Sequence, residues 1–211
     1  LLLKAMSRFI LLKPLKLFQL ISIIGMCGLA TLASALSVEH NIEVELFPAE
    51  HKLIGLDRME IHTGGDESLV FRLSEKVAHI SAEINGANRK FNRQQEWLQV
   101  PLKPAERKAS LQVTIRYAGV FDDPVPVRPV NVDNPGLGVS ATISTKGSFL
   151  LAGAHWYPEL SEGSTVYNLS VRAPAGIIAV TAGRSTGQST QHGKSISNWR
   201  IDYPVEGLSL T

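Results

Sequence analysis

The sequence predicts an all-β domain of layered antiparallel sheets, a β-sandwich, preceded by a signal-peptide helix. Three observations carry this reading. Apolar residues recur at every second position in segment after segment, the period of a strand with one buried face. Gly, Pro and Asn punctuate these segments at short intervals. No 3.6-residue period is sustained beyond the first 35 residues, so runs of helix are not expected.

Residues 1–35 carry Lys4, Arg8, Lys13 and Lys16 and no acidic residue, then an apolar run from Leu17 to Leu32, then Ala33-Ser34-Ala35. A basic head, an apolar middle and a small-residue site make a signal peptide cleaved after Ala35. The competing reading is a membrane anchor through residues 17–32, which falls short of the ~20 apolar residues a span needs. The domain therefore runs over 36–211, and the protein is expected to be exported, periplasmic or extracellular. It meets a membrane only if the leader stays attached.

The first element of the domain is a hairpin over His40–Ile61. Ile42, Val44 and Leu46 fall on one face and Asn41, Glu43 and Glu45 on the other. Pro48 ends the first arm for want of an N–H donor, and Gly55 is expected to let the second arm bend or bulge. Met59 and Ile61 resume the apolar face. Leu69, Phe71 and Leu73 make the next strand. Ile80, Ala82 and Ile84 run into Asn85-Gly86, a dipeptide that accepts positive φ at both positions of a tight hairpin. Leu98, Val100 and Leu102 alternate up to Pro104, and Leu111, Val113, Ile115 and Tyr117 give the cleanest strand. Tyr167, Leu169 and Val171 form another, followed by a turn at Pro174-Ala175-Gly176. Ile196, Trp199 and Ile201 mark a last strand of imperfect alternation. Two stretches read as irregular: the proline-rich Phe121–Ser140 and the polar Gly183–Lys194, expected to be a hairpin loop or an exposed flap.

Losing the leader takes the net charge from +2 to −2, so nothing basic remains to attract nucleic acid. It also removes the single cysteine, Cys27, which leaves neither a disulfide nor a thiolate metal site. A chain of this length buries about 70% of its unfolded surface, enough for one domain held by its core.

Catalytic motifs are missing. The six histidines are scattered, with no pair at metal-ligand spacing and no H-E-x-x-H, and they read as exposed strand or loop residues. Gly187–Ser195 ends in Gly-Lys-Ser but has five residues between its glycines where a phosphate loop needs four. There is no G-x-S-x-G elbow, and Ser148 has no partner base. Asp122-Asp123 reads either as an ion or amine contact or as a capped, solvated turn. Asn168-Leu169-Ser170 is a glycosylation sequon placed inside a strand. One cluster stands out: His155-Trp156-Tyr157-Pro158, whose aromatic density serves either a docking surface or a core plug at a strand end.

The order of these segments resembles the zinc aminopeptidase family, which includes aminopeptidase N and leukotriene A4 hydrolase. His40-Asn41-Ile42-Glu43-Val44-Glu45-Leu46, Pro48 and His51-Lys52-Leu53-Ile54-Gly55 are similar to its H-x-L-x-V-x-L-x-P … H-x-L-x-G opening. The likeness continues through residues 69–73, Ile84-Asn85-Gly86, Leu111–Gly119, Trp156-Tyr157-Pro158 and Tyr167–Pro174, with Gly183 after them. The resemblance implies a saddle-like N-terminal β domain that packs on a catalytic domain and forms part of its substrate-entry wall. Zinc ligands, general base and exopeptidase motif then belong to the next domain, with no zinc or other cofactor and no catalytic residue on this chain. Its partners would be that catalytic domain or a peptide substrate. His155, Trp156 and Tyr157 become the candidate docking or cleft-facing residues, with the Trp156 and Tyr157 rings partly uncovered. Family members place an acidic residue or glutamine upstream of the aromatic box; Gly147–Pro158 has none, so no substrate-binding residue is carried over. The domain is expected to be truncated at Thr211. The alternative is a free-standing periplasmic β-sandwich that binds a ligand or protein.

Overall fold

A computed structural model describes residues 37–125, 138–161 and 164–211. The signal segment 1–35 and most of the proline-rich connection lie outside the described residues. Among those described, no helix is long and apolar enough to cross a membrane.

The fold is all-β, with three sheets among the described residues. The largest has eight strands in the order β13-β14-β12-β1-β2-β8-β4-β5. In chain order these are β1 (Ser37–Phe47), β2 (Lys52–His62), β4 (Val77–Ile84), β5 (Ala87–Arg89), β8 (Ser110–Val120), β12 (Ser164–Pro174), β13 (Arg184–Gln191) and β14 (Lys194–Val205). A four-stranded sheet joins β3 (Ser68–Arg72), β6 (Asn92–Gln94), β7 (Trp97–Pro101) and β11 (Glu159–Leu160). The third is a hairpin of β9 (Ala141–Ser144) and β10 (Gly147–Leu150).

The alternation read from the sequence sets which face is buried. Val38, Ile42, Val44 and Leu46 of β1 meet Leu53, Met59 and Ile61 of β2 and Leu111, Val113 and Ile115 of β8 in one core. Each such side chain contributes roughly 1.5–3 kcal/mol on burial. The small sheets add Leu69, Phe71, Leu98, Val100, Ile143 and Leu150 to the same core. Asn85 and Gly86 take φ 51° and 75°, so the expected tight hairpin forms between β4 and β5.

Three expectations need correction. The large sheet is not wholly antiparallel: β1 and β12 run parallel, Ile42 opposite Leu169. Residue periodicity specifies a face, not a strand direction. Gly183–Lys194, expected as a hairpin loop or flap, is more regular than that: it is the edge strand β13, exposed along its whole length, and the hairpin turn into β14. A strand with both faces in water has no apolar period to betray it. Gly55 puts no bulge into β2; it pairs in unbroken register with Val44 and Tyr117.

Candidate functional site

The aromatic box begins where a 3₁₀ turn, Ala152–Ala154, stops at His155 in the left-handed region, φ 48°. That turn swings the next two side chains inward. Trp156 Nε1 donates to the carbonyl of Leu208 at 2.7 Å, and the N–H of Leu208 donates to the Tyr157 hydroxyl at 3.1 Å. The Tyr157 hydroxyl donates to that of Tyr167 at 3.2 Å, and Tyr167 shares a 2.6 Å bond with Thr165. Trp156 and Tyr157 are both 0% exposed, in edge contact with ring centroids 4.8 Å apart. The expectation that these rings lie partly uncovered is therefore corrected. They plug the core and clamp both backbone polar groups of one residue, Leu208. Burial pushes the Tyr157 phenol far above its ordinary range, and burial likewise raises Tyr167.

His155 stays near the surface. Its Nδ1 lies 2.5 Å from Glu159 and its Nε2 3.9 Å from Glu96. Burial raises the Glu159 carboxyl, opposed by its hydrogen bond to His155.

Sequence reasoning missed one polar pair. His40 and Asp57 are both 0% exposed, with Nδ1 and Oδ2 2.6 Å apart. His40 stacks on Tyr167, centroids 5.0 Å apart, and meets the edge of Tyr157 at 6.1 Å. The expectation of exposed histidines fails here. The signal was present: His40 has the parity of Ile42 and Val44, and Asp57 that of Met59 and Ile61. The ladder pairs Ile42 with Asp57 and His40 with Met59, which makes the two polar residues diagonal neighbours on the buried face. The pair is sealed from solvent.

Two of the exposed grooves among the described residues have mostly apolar linings. One, of about 470 Å³, lies over the outer face of the large sheet, with Ile54, Leu56 and Ile80 at its floor and Glu43, Arg116 and Arg172 at its rim. Its charges are internally paired: Arg58 with Glu43 at 2.5 Å, and Arg116 with Glu83 at 2.5 Å. The other, of about 420 Å³, sits at the end of the first hairpin between Phe47, Pro48, Thr145, Pro174, Ile177 and Lys194.

No family model matches the sequence, and no curated protein matches it. Solved structures do. The M1 zinc metallopeptidase from Deinococcus radiodurans, bound to a Tyr-Ser-Ala substrate, superposes with a TM-score of 0.63 at 18% identity, over 83% of this chain and 42% of that one. A two-domain M1 zinc metallopeptidase bound to L-tryptophan gives 0.62 at 17% identity, over 84% and 43% of the two chains. Native yeast LTA4 hydrolase gives 0.54 at 11% identity, over 83% and 28%. This is the fold of an M1 zinc metallopeptidase N-terminal domain. The chain thus spans less than half the length of the peptidases it matches.

Among the described residues there is no group of three or more His, Cys, Asp or Glu placed to hold a metal ion. The nearest arrangement is His155 with Glu159 and Glu96, but each carboxylate faces a different ring nitrogen, so the three do not converge on one point. Asp123 accepts from the N–H groups of Ser140 and Ala141, both at 2.8 Å, and pairs with Lys76 at 2.5 Å. It caps a turn. The Gly187–Ser195 stretch is an exposed β-hairpin with no helix behind it to hold a phosphate. Asn168 is engaged within the sheet by Glu39, Asn41 and Arg200.

Proposed function

We propose that this chain is the non-catalytic N-terminal domain of an exported zinc-aminopeptidase-like protein, docking on a catalytic domain and helping to shape its peptide-binding cleft. One observation carries the reading. The M1-type fold takes up 83% of this chain but only 42% of the peptidase it matches, the share expected of one domain in a larger enzyme. Two open grooves, and the exposed Ile54, Ile177, Ile178 and Val180, supply surface for a partner. The Trp156 and Tyr157 rings act indirectly, by fixing the strand ends that the partner would meet.

The test is to sequence past the codon for Thr211 and to assay the full-length product. An H-E-x-x-H downstream, stoichiometric zinc and hydrolysis of an aminoacyl substrate are expected there, and neither zinc nor hydrolysis in residues 36–211 alone. Zinc or hydrolysis in the 36–211 fragment would overturn the proposal. A stop codon after Thr211 would transfer the chain to the free-standing binding modules.

A further inference from the structure

Leu208–Thr211 runs as the beginning of a strand with a neighbour on each side. Leu210 is bridged antiparallel to Leu150, the last residue of β10, through two 2.8 Å hydrogen bonds. It is also bridged to Thr181, and the next residue, Thr211, exchanges bonds of 2.7 and 2.9 Å with Val180. Two edges therefore stand about 9–10 Å apart with one strand between them, given the ~4.8 Å spacing of neighbouring strands.

Both edges extend past Thr211. In an antiparallel ladder the residues that bond toward a given side alternate, so Ser148 follows Leu150 and Ile178 follows Val180 in facing the inner side. The other faces are already in use: β9 pairs with β10, and the N–H of Ala179 donates to Ser197. Ile178 is 57% exposed and Val180 47%, an unusual state for β-branched residues side by side on a domain surface. Beyond them lies the apolar groove bounded by Thr145, Phe47, Pro48 and Ile177.

We propose that this is a strand slot, filled by polypeptide that continues from Thr211 and inserts as an antiparallel strand between β10 and the Ile177–Val180 segment. The inference rests on the reading of the chain as one domain of a longer enzyme. It also specifies the occupant's chemistry. Leu208 and Leu210 both point inward and are 0% exposed, so the first and third residues after Thr211 face the same side and are apolar. The first bonds to Ser148 and the second to Ile178. The small β9–β10 hairpin then becomes part of a wider sheet that ties this domain to the next one.

Amide hydrogen exchange on the full-length protein and on the 211-residue chain tests this. Exchange at Ser148 and Ile178 should slow by about 100-fold or more in the full-length protein only. Ile178→Pro, which removes the donor, should abolish the slowing at Ser148; Ile178→Ala, which keeps it, should not. Equal exchange in the two chains overturns the slot. So does slowing in the 211-residue chain that rises with concentration alongside a sedimenting dimer, which makes a second copy the occupant. Zinc content and aminoacyl hydrolysis are read on the same full-length sample. Hydrolysis without slowed exchange removes the strand and leaves the functional reading; slowed exchange without zinc or hydrolysis removes the functional reading and leaves the strand.

Discussion

Gly55 and Tyr117 face each other on one rung of the β2–β8 ladder, and the tyrosine ring occupies the space a side chain on Gly55 would need. A Cβ built on Gly55 would lie 2.2 Å from Cζ of Tyr117 and 2.5 Å from its hydroxyl oxygen. The glycine is there for the ring above it. Tyr117 is 2% exposed, its hydroxyl has no hydrogen-bond partner among the described residues, and burial, with Asp57 nearby, drives its phenol well above the usual range.

Gly55→Ala should therefore cost about 1–3 kcal/mol or more, since the ring lies between two paired strands and has nowhere to go. Tyr117→Phe should be neutral or stabilising, because it deletes an unsatisfied buried hydroxyl. Urea denaturation measures both. A Gly55→Ala variant that regains stability when combined with Tyr117→Leu would show that the clash is with the ring. No recovery would mean that backbone freedom at Gly55 is what matters.

The buried His40–Asp57 pair leads to a second prediction. Asp57→Ala should destabilise by about 3–5 kcal/mol, because it leaves His40 buried without its partner. Replacing both residues with leucine should cost much less than the sum of the single changes, since the desolvation penalty of both groups disappears. Chemical denaturation of His40→Leu, Asp57→Leu and the double-leucine variant closes the cycle. Additive losses would mean that the two side chains are not coupled.

The third concerns the aromatic box. Trp156→Ala should cost about 3–5 kcal/mol, and Trp156→Phe about 1–3 kcal/mol by stranding the carbonyl of Leu208. Iodide should quench Trp97, 41% exposed, and not Trp156. Quenching that survives in a Trp97→Phe/Trp199→Phe double variant would contradict the burial of Trp156.

Most of the large sheet was legible because its strands are half buried, and one wet face beside one dry face writes a period of two. Leu111–Tyr117 and Ile42–Leu46 show this directly. The short strands β5, β6, β9 and β11 are too brief to carry a period. β13 carries none, because both its faces are in water. The His40–Asp57 pair had the right parity but the wrong polarity, and a search for metal spacing along the chain overlooks residues that meet diagonally across a hairpin. The aromatic box was visible as composition. Its burial depends on the Leu208 peptide, about 50 residues away, whose position no local pattern encodes.

The last prediction is a pH dependence at Asp123. Burial alone would raise this carboxyl, but the hydrogen bond from Lys76 and the N–H donors of Ala141 and Ser140 outweigh it and hold it below the ordinary 3.8. A carboxyl whose folded pKa is depressed binds fewer protons folded than unfolded. Its stabilisation is thus present in full above the unfolded value and is lost as pH falls through the folded one. Lys76 mirrors this. Burial lowers it, Asp123 and Asp122 raise it further, and the net rise above 10.5 gives a contribution that disappears only as pH climbs beyond that value. Lys76 is about a third exposed, so solvent screens the ion pair and the backbone donors carry most of the effect. Asp123→Asn should lower stability by about 1–2 kcal/mol at pH 7, with the gap to the parent protein closing below pH ~4. Denaturation midpoints between pH 3 and 8 measure it. A gap that stays constant across that range would mean that the ionisation of Asp123 does not carry its contribution.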